Sequence, residues 1–232
     1  MPTEPADQLK GVPQWALAST KPYPLLGVSI NQAREAKRGY YAAISFVDAQ
    51  IGRVIDAVDR MGLWENTVVV FWSDHGYHLG EHGLWFKQSV FEEAARVPMI
   101  MIAPGKGNAG KTSPRTVELV DLYPTLADLT GCKPPANLQG RSLRPLLEDP
   151  STAWDHPAFT QTKHGTHMGR SVRTERWRYT EWNGGEAGIQ LYDHDTDPHE
   201  YKNLATVAEF KPVMEKLRAE LKRVGPDQGE AK

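Results

Sequence analysis

Several features that assign proteins to special classes are scarce in this chain of 232 residues. It has a single cysteine, Cys132, which excludes an internal disulfide framework but leaves the redox compartment open. No apolar stretch approaches the roughly 20 residues that a membrane-spanning helix needs. The first residues lack the basic start and apolar stretch of a signal peptide, which leaves open whether an upstream segment carries a targeting signal.

A strong charge of either sign is also lacking. The net charge of −2 gives no indication of a nucleic-acid or acidic-membrane partner. Apolar residues make up 40% and charged residues 24% of the chain, as in ordinary soluble globular proteins. The length allows one large domain or two small ones with a real core.

By pattern, the chain divides into three parts. Residues 1–32 are rich in proline and have no clear period, which indicates an extended lead-in. Residues 33–153 alternate between helical and strand-like patterns, which is typical of a doubly wound α/β arrangement. Residues 154–232 predict a small subdomain of antiparallel strands with a C-terminal helix.

In the α/β part, one strong helix precedes two apolar runs. The helix has an apolar stripe with steps of three and four residues, and Gly62 is placed to end it. The runs 67–72 and 97–103 are apolar on both faces, which predicts central strands of a parallel sheet. A further helix is predicted over 120–130. The stripe consists of Tyr40, Ile44, Val47, Ile51, Val54, Val58 and Met61.

The last part contains a predicted hairpin and a predicted helix. Strands over 171–182 and 189–192 are joined by a turn at 183–185. Alternating arginines along the first strand predict the solvated face of an edge strand. Thr206 and Glu209 match a capping box, which predicts that the last helix begins there.

Residues suited to cation binding follow the first apolar run. Asp74 and His75 come directly after it, and ligands of open α/β sheets bind beyond the carboxyl ends of strands. A carboxylate oxygen and an imidazole nitrogen are adequate ligands for a divalent cation, and Gly76 permits a sharp turn. Taken alone, the pattern fits a helix-capping aspartate and a surface histidine equally well.

A zinc-protease pattern overlaps this stretch. Residues 78–82, His-Leu-Gly-Glu-His, match H-x-x-E-H, which functions only on a regular helix. The stretch contains Gly76, Gly80 and Gly83, and each glycine costs about 1 kcal/mol in a helix interior. We therefore expect a glycine-rich loop here and not a zinc site.

Many further stretches, in the same order along the chain, closely resemble the sulfatase family. The resemblance covers residues 33 to 205 and is greatest to the iduronate-2-sulfatase and choline-sulfatase group. The stretches are 40–44, 47–53, 72–76, 79–83, Lys87, 96–100, 118–126, 139–143, 173–179, 191–193 and 197–198.

This resemblance implies the C-terminal part of an alkaline-phosphatase-like doubly wound sheet, with a small subdomain of antiparallel strands and a helix. Asp74 matches the acidic ligand of a divalent cation, usually calcium, with magnesium as the alternative. His75 stands where members have Asn or His, as a ligand or a near neighbour of the cation. Lys87 matches the catalytic lysine that contacts the sulfate group.

The last part contains two further candidate groups. His164 lies in a polar segment that borders the substrate pocket in one interpretation, and it is the second candidate for substrate binding. Asp193, His194, Asp195 and Asp197 look like a metal cluster. Their position in the resemblance, just before the last helix, predicts a structural turn instead.

The nucleophile of the family is missing from the chain. In the family, a formylglycine made from Cys or Ser within C-x-P-S-R attacks sulfur as a hydrated aldehyde and then expels sulfate. Cys132 begins a C-x-P sequence, but Pro135 and Ala136 stand where Ser and Arg belong. The aspartate pair, lysine and histidine of the family's N-terminal half are absent too. We therefore expect the isolated chain to be inactive, with a complementary N-terminal half as its partner.

The resemblance thus implies a sulfuric-ester hydrolase in the parent protein, with a sulfated small molecule or sulfated carbohydrate as substrate. The sequence leaves three localisations open for the parent protein: periplasmic, secreted or lysosome-like. Two alternatives remain: a phosphoryl or phosphonate hydrolase of the same superfamily, and a non-catalytic sulfatase remnant. The missing nucleophile segment discriminates between them.

Overall fold

A computed structural model describes residues 4–17, 29–105 and 110–224 of the chain. None of the helices in these ranges combines the length and apolar character needed to cross a membrane. The α-helices are α1 (Ile30–Arg60), α2 (Glu92–Ala95), α3 (Leu122–Thr130), α4 (Arg144–Glu148) and α5 (Lys211–Arg223). The strands are β1 (Val69–Trp72), β2 (His78–Leu79), β3 (Trp85–Phe86), β4 (Met99–Ile102), β5 (Ala158–His164), β6 (His167–Arg173), β7 (Trp177–Trp182) and β8 (Ile189–Asp193).

The chain forms two compact units. The first consists mainly of Val28–Asp74 and Val97–Trp154, and the second of Pro2–Gly27, His75–Arg96 and Asp155–Lys232.

Segment 75–96, however, groups with the second unit, whereas the sequence pattern placed it within 33–153. The physical reason is burial. Its residues Leu84, Val90 and Phe91 pack in one apolar cluster with Trp182 and Tyr192 of the four-stranded sheet.

The long helix of the first unit has the predicted period but not the predicted burial. The hydroxyl of Ser29 accepts the N–H of Gln32 in a capping box, and Gly62 follows the helix in the left-handed conformation, as expected. The apolar stripe lies largely exposed: Val54 is 64% and Met61 is 68% exposed. An exposed stripe of this length is typical of a helix whose packing partner is supplied from elsewhere.

The two apolar runs of the first unit form strands, and the two strands pair with each other in antiparallel direction, whereas their pattern predicts strands of a parallel sheet. β1 and β4 pair antiparallel, with Val69 opposite Ile102 and Phe71 opposite Ile100. A run that is apolar on both faces indicates burial but carries no information on strand direction. Phe71, Ile100 and Ile102 are each more than a third exposed within the described residues.

Helix α3 ends as predicted at Gly131, which is in the left-handed conformation. Thr125 ties this helix to the segment before α4, because its hydroxyl donates to the carbonyl of Asp121 and accepts the N–H of Leu143. Cys132 follows the helix directly and is exposed, in a connecting loop as expected.

The second unit contains an antiparallel sheet in the order β5-β6-β7-β8. The single strand predicted over 171–182 is in fact two, because the chain reverses between Arg173 and Trp177. Thr174 closes this reversal: its N–H donates to the carbonyl of Trp177 at 2.8 Å, and its hydroxyl accepts the N–H of Trp177 at 3.0 Å.

Helix α5 covers one face of this sheet. Leu217 and Leu221 pack with Val172, Tyr179 and Leu191 in an apolar cluster. The predicted capping box at 206–209 was wrong, because residues 208–210 form a short 3-10 turn whose preceding residue makes no side-chain cap. The helix begins at Lys211, with proline in its first turn, where no N–H is needed.

Candidate functional site

Two of the predicted site residues are in direct contact. The ammonium of Lys87 donates to Nε2 of His75 at 2.7 Å. Nδ1 of the same ring lies 2.8 Å from the carbonyl oxygen of Gly76, which is an acceptor only, so Nδ1 carries the proton. The lone pair of Nε2 therefore faces a positively charged group. Asp74 precedes His75 directly and is the last residue of the first unit.

The turn after His75 requires glycine. The N–H of Gly76 donates to the carbonyl of Ala94 at 2.8 Å. A Cβ atom at this position would overlap the carbonyl oxygen of Glu93 and would lie 2.9 Å from that of Arg96. Both neighbours are backbone atoms that cannot rotate away, so the residue that follows His75 must have no side chain.

Gly76→Ala is therefore expected to lower the free energy of unfolding by about 2–3 kcal/mol, because the methyl group overpacks fixed backbone. The measurement is urea unfolding. Gly52→Ala in α1 is the matched control, since its Cβ would meet nothing within 4 Å. That change is expected to be neutral or mildly stabilising. Equal effects of the two substitutions would contradict the close approach at Gly76.

The backbone around Lys87 is held in an unusual conformation. Phe86, in β3, has a φ of +75°, which is rare for a bulky residue. Beyond Lys87, the N–H of Ser89 donates to the carbonyl of Lys87 at 2.9 Å, and the hydroxyl of Ser89 is hydrogen-bonded to Nε2 of His78 at 2.7 Å. Sequence reasoning missed this conformation, because nothing marks a phenylalanine as left-handed.

The rejection of a zinc-protease helix is confirmed. His82 lies in a short 3-10 turn with a φ of +54°. The ring nitrogen Nε2 of His82 lies 3.4 Å from Oε2 of Glu93, and the backbone N–H of His82 donates to a carboxylate oxygen of Glu4. Burial lowers the pKa of His78. At His82 burial has the same effect, but the nearby carboxylates of Glu93, Glu200 and Glu4 together outweigh it and raise the pKa.

His164 is buried, with both ring nitrogens facing backbone carbonyl oxygens. Nδ1 lies 2.8 Å from the oxygen of Trp15, and Nε2 lies 3.0 Å from that of Gln88. This geometry leaves no ring nitrogen for a substrate, so it does not support the direct substrate contact predicted for His164.

The acidic stretch after β8 is a structural turn, as expected. Asp193 accepts two hydrogen bonds from the guanidinium of Arg176, at 2.9 and 2.7 Å. Its carbonyl accepts the N–H of Asp197 at 2.7 Å. Its carboxylate is therefore already engaged by a positive charge.

A second cluster of possible cation ligands is likewise paired with an arginine. Ligand atoms of Glu92, His194 and Glu200 lie within 4.8 Å of one another. The guanidinium of Arg178, however, is buried among them and donates to both carboxylates. We interpret the cluster as an ion-pair network, because Arg178 provides the positive charge that a cation would bring. The sequence pattern predicted that the arginines lie on the solvated face of an edge strand. This prediction was wrong for Arg178, which lies on the inner strand β7.

Glu200 makes the stability of this network depend on pH. Burial alone would raise the pKa of Glu200, but Arg178 and His194 lower it from 4.5 to about 2. A carboxyl group with a lowered pKa contributes stability above about pH 5, and this contribution is lost as the pH falls through the folded-state pKa.

We expect the free energy of unfolding to fall by roughly 3 kcal/mol from this group between about pH 5 and pH 2. Urea unfolding at several pH values checks the expectation. Glu200→Gln removes the ionisable group, so its profile should be flatter over that window. Parallel profiles of the two proteins would show that Glu200 is not the cause.

Comparison with known proteins identifies the family of the chain. A sequence model of the sulfatase family matches residues 7–132, more than half of the chain. The chain belongs to the sulfatase family. A second family model, N-sulphoglucosamine sulphohydrolase, C-terminal, matches residues 80–227.

Individual sulfatases and related hydrolases are similar over most of this chain. Arylsulfatase K of Rattus norvegicus is 35% identical over 204 residues, which cover 84% of this chain and 36% of that protein. A solved structure of a protein in complex with its substrate D-glucosamine-2-N,6-O-disulfate is 30% identical, with a TM-score of 0.76, over 83% of this chain and 42% of that chain. The phosphonate monoester hydrolase of Agrobacterium radiobacter is 31% identical, with a TM-score of 0.69, over 83% of this chain and 42% of that chain.

These likenesses confirm the alkaline-phosphatase-like sulfatase fold and the C-terminal region within it. The chain spans less than half the length of the relatives named above. The narrower placement beside iduronate-2-sulfatases and choline-sulfatases stays a prediction.

Proposed function

We propose that this chain forms the cation-binding and sulfate-binding part of a sulfuric-ester hydrolase. The observation that carries the proposal is the contact of 2.7 Å between the ammonium of Lys87 and Nε2 of His75. It places a positive charge in a fixed position beside the residue that follows Asp74. Membership of the sulfatase family supports the reaction class.

Sulfate-ester hydrolysis needs positive charge at two places. The non-bridging oxygens of the sulfate group must be held, and the charge that develops on the leaving oxygen must be stabilised. Lys87 is suited to the first task, because its ammonium donates hydrogen bonds and its backbone is fixed on both sides. A donor that is already in place needs little reorganisation when charge develops.

The donor set of Asp74 and His75 fits part of a divalent-cation site. The carbonyl of Gly76 fixes the proton of His75 on Nδ1, so the lone pair lies on Nε2, where it accepts a hydrogen bond from the ammonium of Lys87. His75 would bind a cation through Nε2 only in exchange for that hydrogen bond. Such a cation, when bound, supplies positive charge that polarises the sulfate group. Calcium takes about six to eight oxygen ligands, so Asp74 and His75 alone are too few. Calcium, with magnesium as the alternative, is part of the proposal.

We place the nucleophile and the remaining cation ligands in a segment outside these 232 residues. Two observations support this. The chain corresponds to only 36% of arylsulfatase K. In addition, α1 and the strands β1 and β4 expose apolar side chains that would pack against further chain in a complete sulfatase.

A sulfated carbohydrate is the proposed substrate. The structurally similar protein that was solved with its substrate binds D-glucosamine-2-N,6-O-disulfate. The family model over 80–227 is also named for a sulphohydrolase of a sulfated amino sugar. Likeness to a phosphonate monoester hydrolase favours hydrolysis of phosphonate esters as the second candidate.

The test combines this chain with the nucleophile-bearing segment of its parent polypeptide and compares initial rates on three substrates: an aryl sulfate, D-glucosamine-2-N,6-O-disulfate and an aryl phosphonate monoester. We expect both sulfate esters to be hydrolysed faster than the phosphonate. The segment without this chain is the control and should show no turnover above a blank. A clear preference for the phosphonate would contradict the proposal in favour of the second candidate.

A further inference from the structure

His164 contacts the chain segment that carries Lys87. Its Nε2 lies 3.0 Å from the carbonyl oxygen of Gln88, the next residue after Lys87. Its Nδ1 lies 2.8 Å from the carbonyl oxygen of Trp15. A carbonyl oxygen only accepts, so a ring nitrogen that is hydrogen-bonded to one of them donates its N–H. The residue is 7% exposed, which leaves little access for water to replace either partner.

The ring of His164 is itself held in place. It stacks on the buried indole of Trp182, with ring centroids 5.4 Å apart and planes inclined by 26°. Trp15 stacks in turn on His167, which lies opposite His164 in the β5–β6 hairpin. His164 therefore joins the sheet, the turn Gln14–Leu17 and the Lys87 segment at one point.

The Lys87 segment needs such an anchor. A left-handed φ at a bulky residue such as Phe86 costs on the order of 1–3 kcal/mol and persists only where the surroundings enforce it. The strand pairing of Phe86 with His78 fixes the chain before Lys87. The hydrogen bond from His164 to Gln88 fixes it after Lys87.

We propose that His164 is a positioning residue: its ring bridges the backbone carbonyls of Trp15 and Gln88, with Nε2 donating to Gln88, and thereby holds the Lys87 ammonium at His75. It acts through Lys87 and touches no substrate, in contrast to the role predicted from the sequence. The proposal deepens the proposed function and rests on it, because the functional value of the position lies in sulfate binding by Lys87.

The test uses the full chain, labelled with ¹⁵N in histidine and ¹³C in lysine, and follows the NMR signals of His75 Nε2 and Lys87 Cε. Lys87→Ala defines the His75 signal without the contact. His164→Phe keeps an aromatic ring against Trp182 but removes both ring nitrogens, so the His75 signal should move to the Lys87→Ala value. His164→Gln keeps one amide donor and should move the signal part of the way.

A matched control separates positioning from loss of stability. Val172→Ala removes volume from the fully buried Val172 in the apolar cluster beneath α5, and it should lower the melting temperature without moving either signal. The proposal is overturned if a folded His164→Phe leaves both signals unchanged, or if Val172→Ala moves them equally.

The wild-type protein offers a measurement that does not depend on any variant folding. Nε2 of His164 should carry a proton in the folded chain, because it faces the carbonyl oxygen of Gln88, and a lone pair on Nε2 would overturn the proposal. None of these signals requires turnover. A parent protein without sulfatase activity would therefore refute the proposed function while leaving the positioning result intact.

Discussion

Replacing Arg178 with methionine is expected to destabilise the second unit by about 3–5 kcal/mol, enough to leave much of it unfolded in a protein of ordinary stability. The guanidinium is buried and is hydrogen-bonded to Glu200 and Glu92, and Glu200 is fully buried. Removing the positive charge leaves two carboxylates without their main partner in a low-dielectric interior. Methionine keeps most of the side-chain volume, so the loss reports the charge rather than a cavity.

The measurement is urea unfolding followed by circular dichroism. The matched control is Arg223→Met at the end of α5, where an exposed arginine pairs with Glu220. Surface ion pairs contribute about 0–1 kcal/mol, so the control should change the midpoint little. If Arg178→Met proved as mild as Arg223→Met, the ion-pair network would not be the element that holds this part of the chain together.

The second large effect concerns the reaction. Lys87→Ala, made in the chain combined with its nucleophile-bearing segment, is expected to lower kcat on an aryl sulfate by about 10²–10³, the range seen when one fixed donor to developing charge is removed. The reason is that the ammonium at His75 is the fixed positive charge assigned to the sulfate oxygens. Circular dichroism of the variant establishes that it is folded.

Lys216→Ala supplies the control for this prediction. Lys216 is an exposed lysine on the last helix, so the substitution also removes one positive charge from the protein. It should leave kcat within about twofold of the unmodified protein, because an exposed charge is screened by salt. A Lys87→Ala variant with the same rate as Lys216→Ala would remove Lys87 from the proposed site.

Sequence reasoning succeeds here where a pattern has one physical cause. The steps of three and four in the apolar stripe require a helix, and α1 follows. Gly62 and Gly131 end their helices because a left-handed residue is cheapest as glycine. The resemblance also named Lys87 and His75, which are 12 positions apart and lie in contact, but their roles at a sulfate group and a cation stay predictions.

Other features could not be predicted because they depend on three-dimensional neighbours, which the sequence pattern does not specify. Strand direction for β1 and β4 depends on which strands are available as neighbours, and an apolar run is the same in either direction. Arg178 looks like any arginine in an alternating strand, and only the fold places Glu92 and Glu200 around it. His164 has its role through two carbonyl groups, which every residue carries and no sequence pattern marks.

The measurement that tests the account most directly is the initial rate of aryl sulfate hydrolysis by the purified chain alone, with calcium present. The account assigns to this chain only Lys87, Asp74 and His75, without a nucleophile and with too few cation ligands for a tight site. It therefore predicts no turnover above a blank for the chain alone, and turnover once the nucleophile-bearing segment is added. Turnover by the isolated chain at a rate that Lys87→Ala abolishes would contradict it.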